Sequence, residues 1–398
     1  METKKYLMED ALDEIIDYRG KTPKKSETGI MTLSAKSVKN GYIDYSQCYY
    51  ISQSEYKKFM VRGFPKVGDI LLTTEAPLGM VCRLDRDDVA IAQRLLTLRG
   101  KKGVLNNDYL LYYLQSPIGQ YLLRSRETGT TVTGIKQSEF RKIEMDLPDI
   151  KYQEKVASIL RSIDEKINLN NKINDNLEQE AQVIYNTIVK NSINKKTLSD
   201  FIKIKHGYAF KGDFISSDDN GVVLVTPGNF CIGGGFKETK CKFFTNDYPN
   251  DYVLKPNSLI VTMTDLSKEA DTLGYGALVP YSTQRIYLHN QRIGLVEQIS
   301  NELPISYIYW YMRSYEYHMC IVGSSSGSTV KHTSPGRILE QTIPIPTITD
   351  RTEYIPVLDE INAIISKNHT ENIHLQSLRD TLIPKLISGD IDISNIDI

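Results

Sequence analysis

The chain has 398 residues, 48 Lys and Arg against 49 Asp and Glu, a net charge of −1 and 40% hydrophobic residues. That length suits two or three soluble globular domains. The near-zero charge excludes a protein that holds nucleic acid by bulk charge alone, and no apolar run reaches the roughly 18–20 residues of a membrane span.

In chain order, residues 1–150 open with short β-rich stretches at Ile70–Thr74, Met80–Leu84 and Val89–Leu98. Their Val, Ile, Leu and Thr runs are bounded by Gly, Pro, Asn and Asp, as strands are. A helical segment, Asn107–Arg124, and a small-polar loop, Thr128–Gly134, follow. Residues 151–196 read as one long helix. Val156, Leu160, Ile163, Ile167, Asn170, Asn174, Leu177, Ala181, Ile184 and Ile188 step by four and three, a sustained heptad seam. Residues 197–346 repeat the first pattern: strands at Val222–Thr226, Leu259–Thr264 and Arg292–Ile299, a helix at Pro304–Cys320 and a loop at Gly323–Ser328. Residues 347–398 hold a second helix, with a seam at Val357, Ile361, Ile364, Asn368, Glu371, Leu375, Leu378 and Leu382. Pro384 is expected to kink or end it.

The two halves align. Lys66-Val-Gly-Asp-Ile-Leu-Leu-Thr73 matches Lys255-Pro-Asn-Ser-Leu-Ile-Val-Thr262, and Ala92-Gln-Arg-Leu-Leu-Thr-Leu98 matches Asn290-Gln-Arg-Ile-Gly-Leu-Val296. Thr130–Lys136 sits where Ser328–Thr333 sits, and each half closes on Leu147-Pro148 or Ile343-Pro344. A period near 198 residues is too long for a solenoid unit and implies a duplicated domain-plus-helix. Both seams turn polar near the middle, so an antiparallel pairing would bring Asn170 and Asn174 against Asn368 and Glu371 and fix the register. The expected fold is α+β: two mixed α/β domains joined by two long helices in an antiparallel coiled coil, an internal repeat with pseudo-twofold character.

No phosphate-cradling loop, dinucleotide fingerprint, methylase signature or nucleophile elbow is present. Glu55-Tyr-Lys57 and Glu238-Thr-Lys240, with Asp44 and Asp219 upstream, have the Glu-x-Lys shape of metal-dependent nucleases, a triplet that arises by chance in a chain this charged. Cys48, Cys82, Cys231, Cys241 and Cys320 never form Cys-x-x-Cys, which argues against a disulfide framework and for a reducing cytoplasm. The start, Met-Glu-Thr-Lys-Lys-Tyr, lacks the apolar core of a secretory signal. The chain reads as a non-enzyme, with no metal or cofactor of its own.

Two similar domains on paired helices match two half-sites on a duplex. A helix of about 35–40 residues is roughly 50–60 Å long, which spaces the domains about one to two turns of DNA apart. Net charges of +3, +2, −1 and −5 for the four segments require local patches, or a basic partner, to meet a polyanion. Thr130, Thr131, Lys136 and Gln137, then Ser328, Thr329, Lys331 and His332, supply groups for phosphates and base edges, and Lys136 and Lys331 are taken as matching positions. Gln93-Arg94 and Gln291-Arg292 fall inside strand-like runs and read as structural.

The tail Ser377-Leu-Arg-Asp-Thr-Leu-Ile-Pro-Lys-Leu-Ile-Ser-Gly-Asp390 resembles the C-terminal helix end of type I restriction–modification specificity subunits. Leu12-Asp-Glu-Ile-Ile-Asp-Tyr-Arg-Gly-Lys-Thr-Pro23, Lys205-His-Gly-Tyr-Ala-Phe-Lys211 and Val225-Thr-Pro-Gly-Asn229 are similar to that family's domain starts. The resemblance spans the whole chain. It implies two target recognition domains, 1–150 and 197–346, that read a bipartite DNA site and direct methylation and restriction by partners. It adds Lys21, Tyr208 and Lys211 to the DNA-binding candidates. It further implies two modification (methyltransferase) subunits docked on the helices, joined by restriction (motor-nuclease) subunits, with S-adenosylmethionine, ATP and Mg²⁺ on those partners. The family's Leu-Pro-Pro-x-x-Glu-Gln helix start is here Leu147-Pro-Asp-Ile-Lys-Tyr-Gln-Glu154 and Ile345-Pro-Thr-Ile-Thr-Asp-Arg-Thr-Glu353, which shifts the expected helix starts by a residue or two. The alternatives are a stand-alone bipartite DNA-binding protein and a metal-dependent nuclease.

Overall fold

The computed structural model describes residues 2–129, 133–239, 241–267 and 269–393. The chain forms two compact units, Met1–Lys166 with Leu375–Ile398, and Ile167–His374. Each takes one half of the repeat and a part of both long helices.

The first unit holds two four-stranded sheets. In one, the order is Leu12–Asp17, Leu95–Gly100, Ile70–Thr73 and Val81–Arg83, antiparallel throughout. In the other it is Lys25–Ser26, Tyr49–Ile51, Ile30–Leu33 and Ala90–Ile91, with the last pair parallel. The second unit repeats both orders: Ile202–His206, Ile293–Gln298, Leu259–Thr262 and Gly276–Leu278, then Ile215–Ser216, Lys242–Phe244, Val222–Val225 and Ile286–His289.

Alternation of side chains explains how one strand serves two cores. Ile70 and Leu72 pack with the helix Asn107–Gln115, while Leu71 between them faces the second sheet. Leu259 and Val261 likewise face the helical side and Ile260 the second sheet. A strand buried on both faces has no polar alternation, which is why Ile-Leu-Leu and Leu-Ile-Val run unbroken.

Four expectations change in detail. The segment Asn107–Arg124 is two helices, Asn107–Gln115 and Pro117–Arg124, because Ser116 caps the second and Pro117 fits its first turn. Pro304–Cys320 divides in the same way at Ser314, into Ile305–Met312 and Tyr315–Gly323. The expected strand Val89–Leu98 is two strands, Ala90–Ile91 and Leu95–Gly100, in different sheets, with Gln93 and Arg94 in the turn between them. The C-terminal segment is a capped turn of helix, Ile348–Glu353, and then Ile355–Ser388, with Pro356 in its first turn.

The central helix is Ile150–Asn191. In the first unit its Val156, Ala157 and Leu160 pack against Ile383, Leu386 and Ile387 of the C-terminal helix. Arg379 binds Asp164 at 2.8 Å, and Asp164 also accepts from the Tyr112 hydroxyl at 2.7 Å. In the second unit Ala181 and Ile188 meet Ile355, Leu358 and Ile361. The partners run in opposite directions within the second unit: Asn191 donates to Asp350, Asn368 donates to Asn174 at 2.7 Å, and Asn170 donates to Asn372 at 2.9 Å and Glu371 at 2.8 Å. The polar middles of the two seams therefore meet as an asparagine layer.

The tail seam is shifted from the expected one. Leu358, Ile361, Ile365 and Asn372 point inward, whereas Val357, Ile364 and Leu378 are exposed. Val357/Leu358 and Ile364/Ile365 are adjacent apolar pairs, so hydrophobic period alone could not choose between neighbours. Pro384 does not end the helix. It continues to Ser388, where Gly389 at φ +80° and an Asp390 N–H donated to the Lys385 carbonyl close it.

Leu358→Ala is expected to lose about 2–5 kcal/mol through a cavity in this seam. Leu378→Asp, now on an exposed face, is expected to stay within about 0.5 kcal/mol in the isolated chain. Urea unfolding of both variants checks the assignment.

Candidate nucleic-acid interface

The first and third strands in each unit's main sheet run parallel, because each is antiparallel to the strand between them. Their C-terminal ends, and the start of the middle strand, therefore share one end of the sheet. In the first unit that end carries the turn after Asp17, the turn Gln93–Arg94 and the loop reached from Thr73. In the second it carries the turn after His206, the turn Gln291–Arg292 and the loop reached from Thr262.

The two loops are closed alike. Thr128 and Gly134 exchange both backbone hydrogen bonds (2.8 and 3.1 Å), as do Ser326 and His332 (2.9 and 2.8 Å). The N–H of Ile135 donates to the Thr74 carbonyl and that of Thr333 to the Met263 carbonyl, both at 3.0 Å, which ties each loop to the sheet end. Gly327 sits at φ +96°, and a Cβ there would stand 2.0 Å from the Val330 carbonyl oxygen, so this turn excludes any side chain.

Ser328 and Thr329 are exposed at the tip of the second loop. Lys331 is half-buried and His332 exposed in the short strand Lys331–His332, paired with Thr264–Asp265. The His332 ring lies 3.2 Å from the Thr264 hydroxyl through Nδ1. Asp265 is buried; burial raises its pKa, but hydrogen bonds from Thr272 and Ser267 outweigh that and hold it below the usual carboxylate range. In the first unit Lys136 is exposed just before the helix Gln137–Arg141, and Gln137 donates at 3.4 Å to the Ile15 carbonyl. Thr130 and Thr131 lie outside the described residues.

Lys136 and Lys331 are not equivalent positions. Gly134, paired with Thr128, stands at the place of His332, paired with Ser326, so Lys136, two residues on, corresponds to Ser334, which caps the helix Pro335–Leu339. Backbone pairing fixes this register; the Thr-Val similarity of the loops did not.

The remaining candidates stand at the first turn. Lys21 is exposed, its N–H bonded to the Tyr18 carbonyl. Tyr18 is buried below it, donating to the Gly63 carbonyl at 2.8 Å and accepting from the Arg62 N–H at 2.9 Å. In the second unit Tyr208 is 42% exposed, with ring centroids 5.1 Å from Phe210 and 5.2 Å from Tyr252. Lys205 lies over Tyr252 at 5.1 Å. Lys211 is exposed. This aromatic surface beside cationic side chains suits stacking and phosphate contact.

The Glu-x-Lys carboxylates are engaged elsewhere. Glu55 accepts from the Lys24 N–H, Asp44 caps Tyr45–Gln47, Glu238 accepts from Tyr287 and Asp219 pairs with Arg285; Lys240 lies outside the described residues. Among the described residues no group of three His, Cys, Asp or Glu could hold a metal, and no helix is long and apolar enough to cross a membrane.

The family profile described as the type I restriction modification DNA specificity domain matches residues 8–179 and 191–377. The chain belongs to this family. The specificity subunit of type I restriction enzyme MjaIX from Methanocaldococcus jannaschii is 23% identical over 368 residues, covering 87% of this chain and 82% of that one. That of MjaVIII from the same organism is 20% identical, covering 90% and 88%. The crystal structure of a type I restriction–modification S subunit from M. genitalium shares the fold, with a TM-score of 0.61, 14% identity and coverage of 97% and 96%. The part of this specificity subunit is recognition of DNA sequence, not catalysis.

At the loop end of the second unit His289 is buried, its carbonyl accepting the Tyr208 N–H at 2.8 Å. Burial pushes its imidazole down to about 4, against the hydrogen bond to the Ile293 carbonyl at 2.8 Å, which favours the charged form. A folded-state pKa below the ordinary 6.5 means that the unfolded chain takes up the proton first. The stabilisation is whole above pH 6.5 and is lost as pH falls towards 4. Thermal melts of the specificity subunit should drop across that window, and His289→Gln should flatten the drop.

Proposed function

We propose that this specificity subunit reads a bipartite DNA site, residues 1–150 contacting one half-site and residues 197–346 the other. The observation that carries this reading is the repetition of one loop-and-turn constellation at the same sheet end of both units. In the first, Lys21, Lys136 and Gln137 supply the contacts, together with Thr130 and Thr131. In the second they come from Tyr208, Lys211, Ser328, Thr329, Lys331 and His332. Phosphate contacts position such a domain, and base-edge contacts give it sequence.

The long helices, residues 151–196 and 347–398, serve as spacer and docking site for two modification (methyltransferase) subunits, to which restriction (motor-nuclease) subunits add. Leu169 and Val183 on one helix and Val357, Ile364 and Leu378 on the other are large apolar side chains left exposed by the seam, which supports a partner surface there. S-adenosylmethionine, ATP and Mg²⁺ would belong to those partners. Five free cysteines suit a cytoplasmic setting.

Mapping methylated motifs in the genome of a host carrying this gene tests the reading. Exchange of residues 1–150 for a homologous domain is expected to change one half of the motif and leave the other. A change in both halves would refute independent reading.

Lys136→Ala and Lys331→Ala, measured in the assembled complex, should weaken binding to motif-bearing and altered duplexes alike. Each should flatten the salt dependence by about one unit. A loss confined to one base position would instead assign that lysine to sequence.

A further inference from the structure

The dipeptide Gln-Arg occurs at 93–94 and 291–292, 198 residues apart, the same interval that separates Thr128 from Ser326 and Gly134 from His332. Neither pair is inside a strand. Each forms the turn that carries the chain from one sheet to the other, with Arg94 and Arg292 both exposed. The carbonyl of Arg94 accepts from the Thr74 N–H at 3.0 Å, and that of Arg292 from the Met263 N–H at 2.9 Å. These are the residues whose carbonyls hold the recognition loops through Ile135 and Thr333. In each unit the turn and the loop are thus bolted to one and the same residue of the sheet end, Thr74 in the first and Met263 in the second.

The two turns differ first in the side chain that faces the arginine. Glu75 faces Gly134 in the first unit, and Thr264 faces His332 at the matching place in the second. Glu75 holds the Arg94 guanidinium at 2.6 Å. Thr264 carries no charge, and no ion pair of Arg292 occurs among the described residues. The backbones differ too. Asn290 accepts the Arg292 N–H on its side chain at 3.0 Å, an Asx turn, whereas Ala92 at the matching place has no such group and Arg94 takes φ +71°.

We propose that the Gln93–Arg94 and Gln291–Arg292 turns are phosphate clamps, one in each recognition domain, and that Glu75 restrains the first. This rests on the reading that the loop end of each domain faces DNA. An identical pair in two domains cannot by itself tell one half-site from another. It can serve the feature that every half-site shares, the phosphodiester backbone. Arginine donates two parallel hydrogen bonds to phosphate oxygens, and glutamine adds a neutral donor. Discrimination is then left to places where the halves differ, such as the turn Arg19-Gly-Lys21 against Tyr208-Ala-Phe210.

The test uses the full chain assembled with its restriction–modification partners. Binding is measured over a salt series to a duplex of arbitrary sequence and to one carrying the mapped motif. Arg292→Ala is expected to weaken both by roughly tenfold and to flatten the salt dependence by about one unit. Arg94→Asn, which tolerates the left-handed backbone, is expected to cost less, because Glu75 already offsets the charge. Glu75→Gln should tighten binding to both duplexes, and that gain should vanish in the Glu75→Gln/Arg94→Asn double variant. Unchanged melting temperatures control for folding.

A loss by Arg292→Ala confined to the motif duplex would overturn the clamp in favour of base reading. Unchanged affinity, or a Glu75→Gln gain that persists without Arg94, would overturn it as well. If Lys136→Ala and Lys331→Ala weaken binding while Arg292→Ala does not, the clamp fails and the DNA-facing loop end stands. If none of these variants alters binding, both fail together.

Discussion

Burial of one strand on both faces organises each half of this molecule. Ile70–Thr73 and Leu259–Thr262 pack helices on one side and a second sheet on the other, so neither can slide without exposing a whole row of apolar side chains. The register that this fixes carries through to the strand ends. Thr74 and Met263, the next residues, hold a loop by the carbonyl and a Gln-Arg turn by the N–H. The loop end of each unit is thus positioned by a core that lies behind it, and its loops can vary without disturbing that core.

The helix pair obeys a different constraint. A buried asparagine layer costs stability relative to leucine, since each amide must be desolvated and paired. Asn170 donates to Asn372 and Asn368 to Asn174, Glu371 and Asn171 accept further bonds, and the buried Asn170 Oδ1 and Asn174 Nδ2 have no partner among the described residues; this pairing exists in one alignment of the helices only. A slip along the seam would break this pairing and leave more buried amides without partners.

The repeat also shows what duplication leaves free. Sheet order, loop closure and the tie of each Gln-Arg turn to the sheet end are the same in both units, whereas Glu75 and Thr264, or Arg19 and Tyr208, are not. Shared features sit where backbone hydrogen bonds set the shape. Divergent ones are side chains at the rim, where a substitution changes chemistry and not fold.

Much of the architecture could be read in the chain itself. The aligned Lys66–Thr73 and Lys255–Thr262 segments revealed the duplication, because a strand buried on both faces must be a continuous apolar run. The four-three steps from Val156 to Ile188 revealed the central helix, and two seams in one chain demanded each other. Ser328 and His332 stood out as polar residues of a loop, whereas Lys21 and Tyr208 entered through the family resemblance. What the sequence could not decide was register. Val357 and Leu358, or Ile364 and Ile365, are equally apolar neighbours, and only packing selects which one faces the seam. Lys136 and Lys331 looked equivalent until backbone ladders matched Lys136 to Ser334 instead. The repeated Gln-Arg pairs, flanked by Ile and Leu, had the composition of a strand interior. Only the tertiary structure turns the chain there from one sheet to the next, because the sheet that each short apolar run joins is set by its hydrogen bonds to strands distant in sequence.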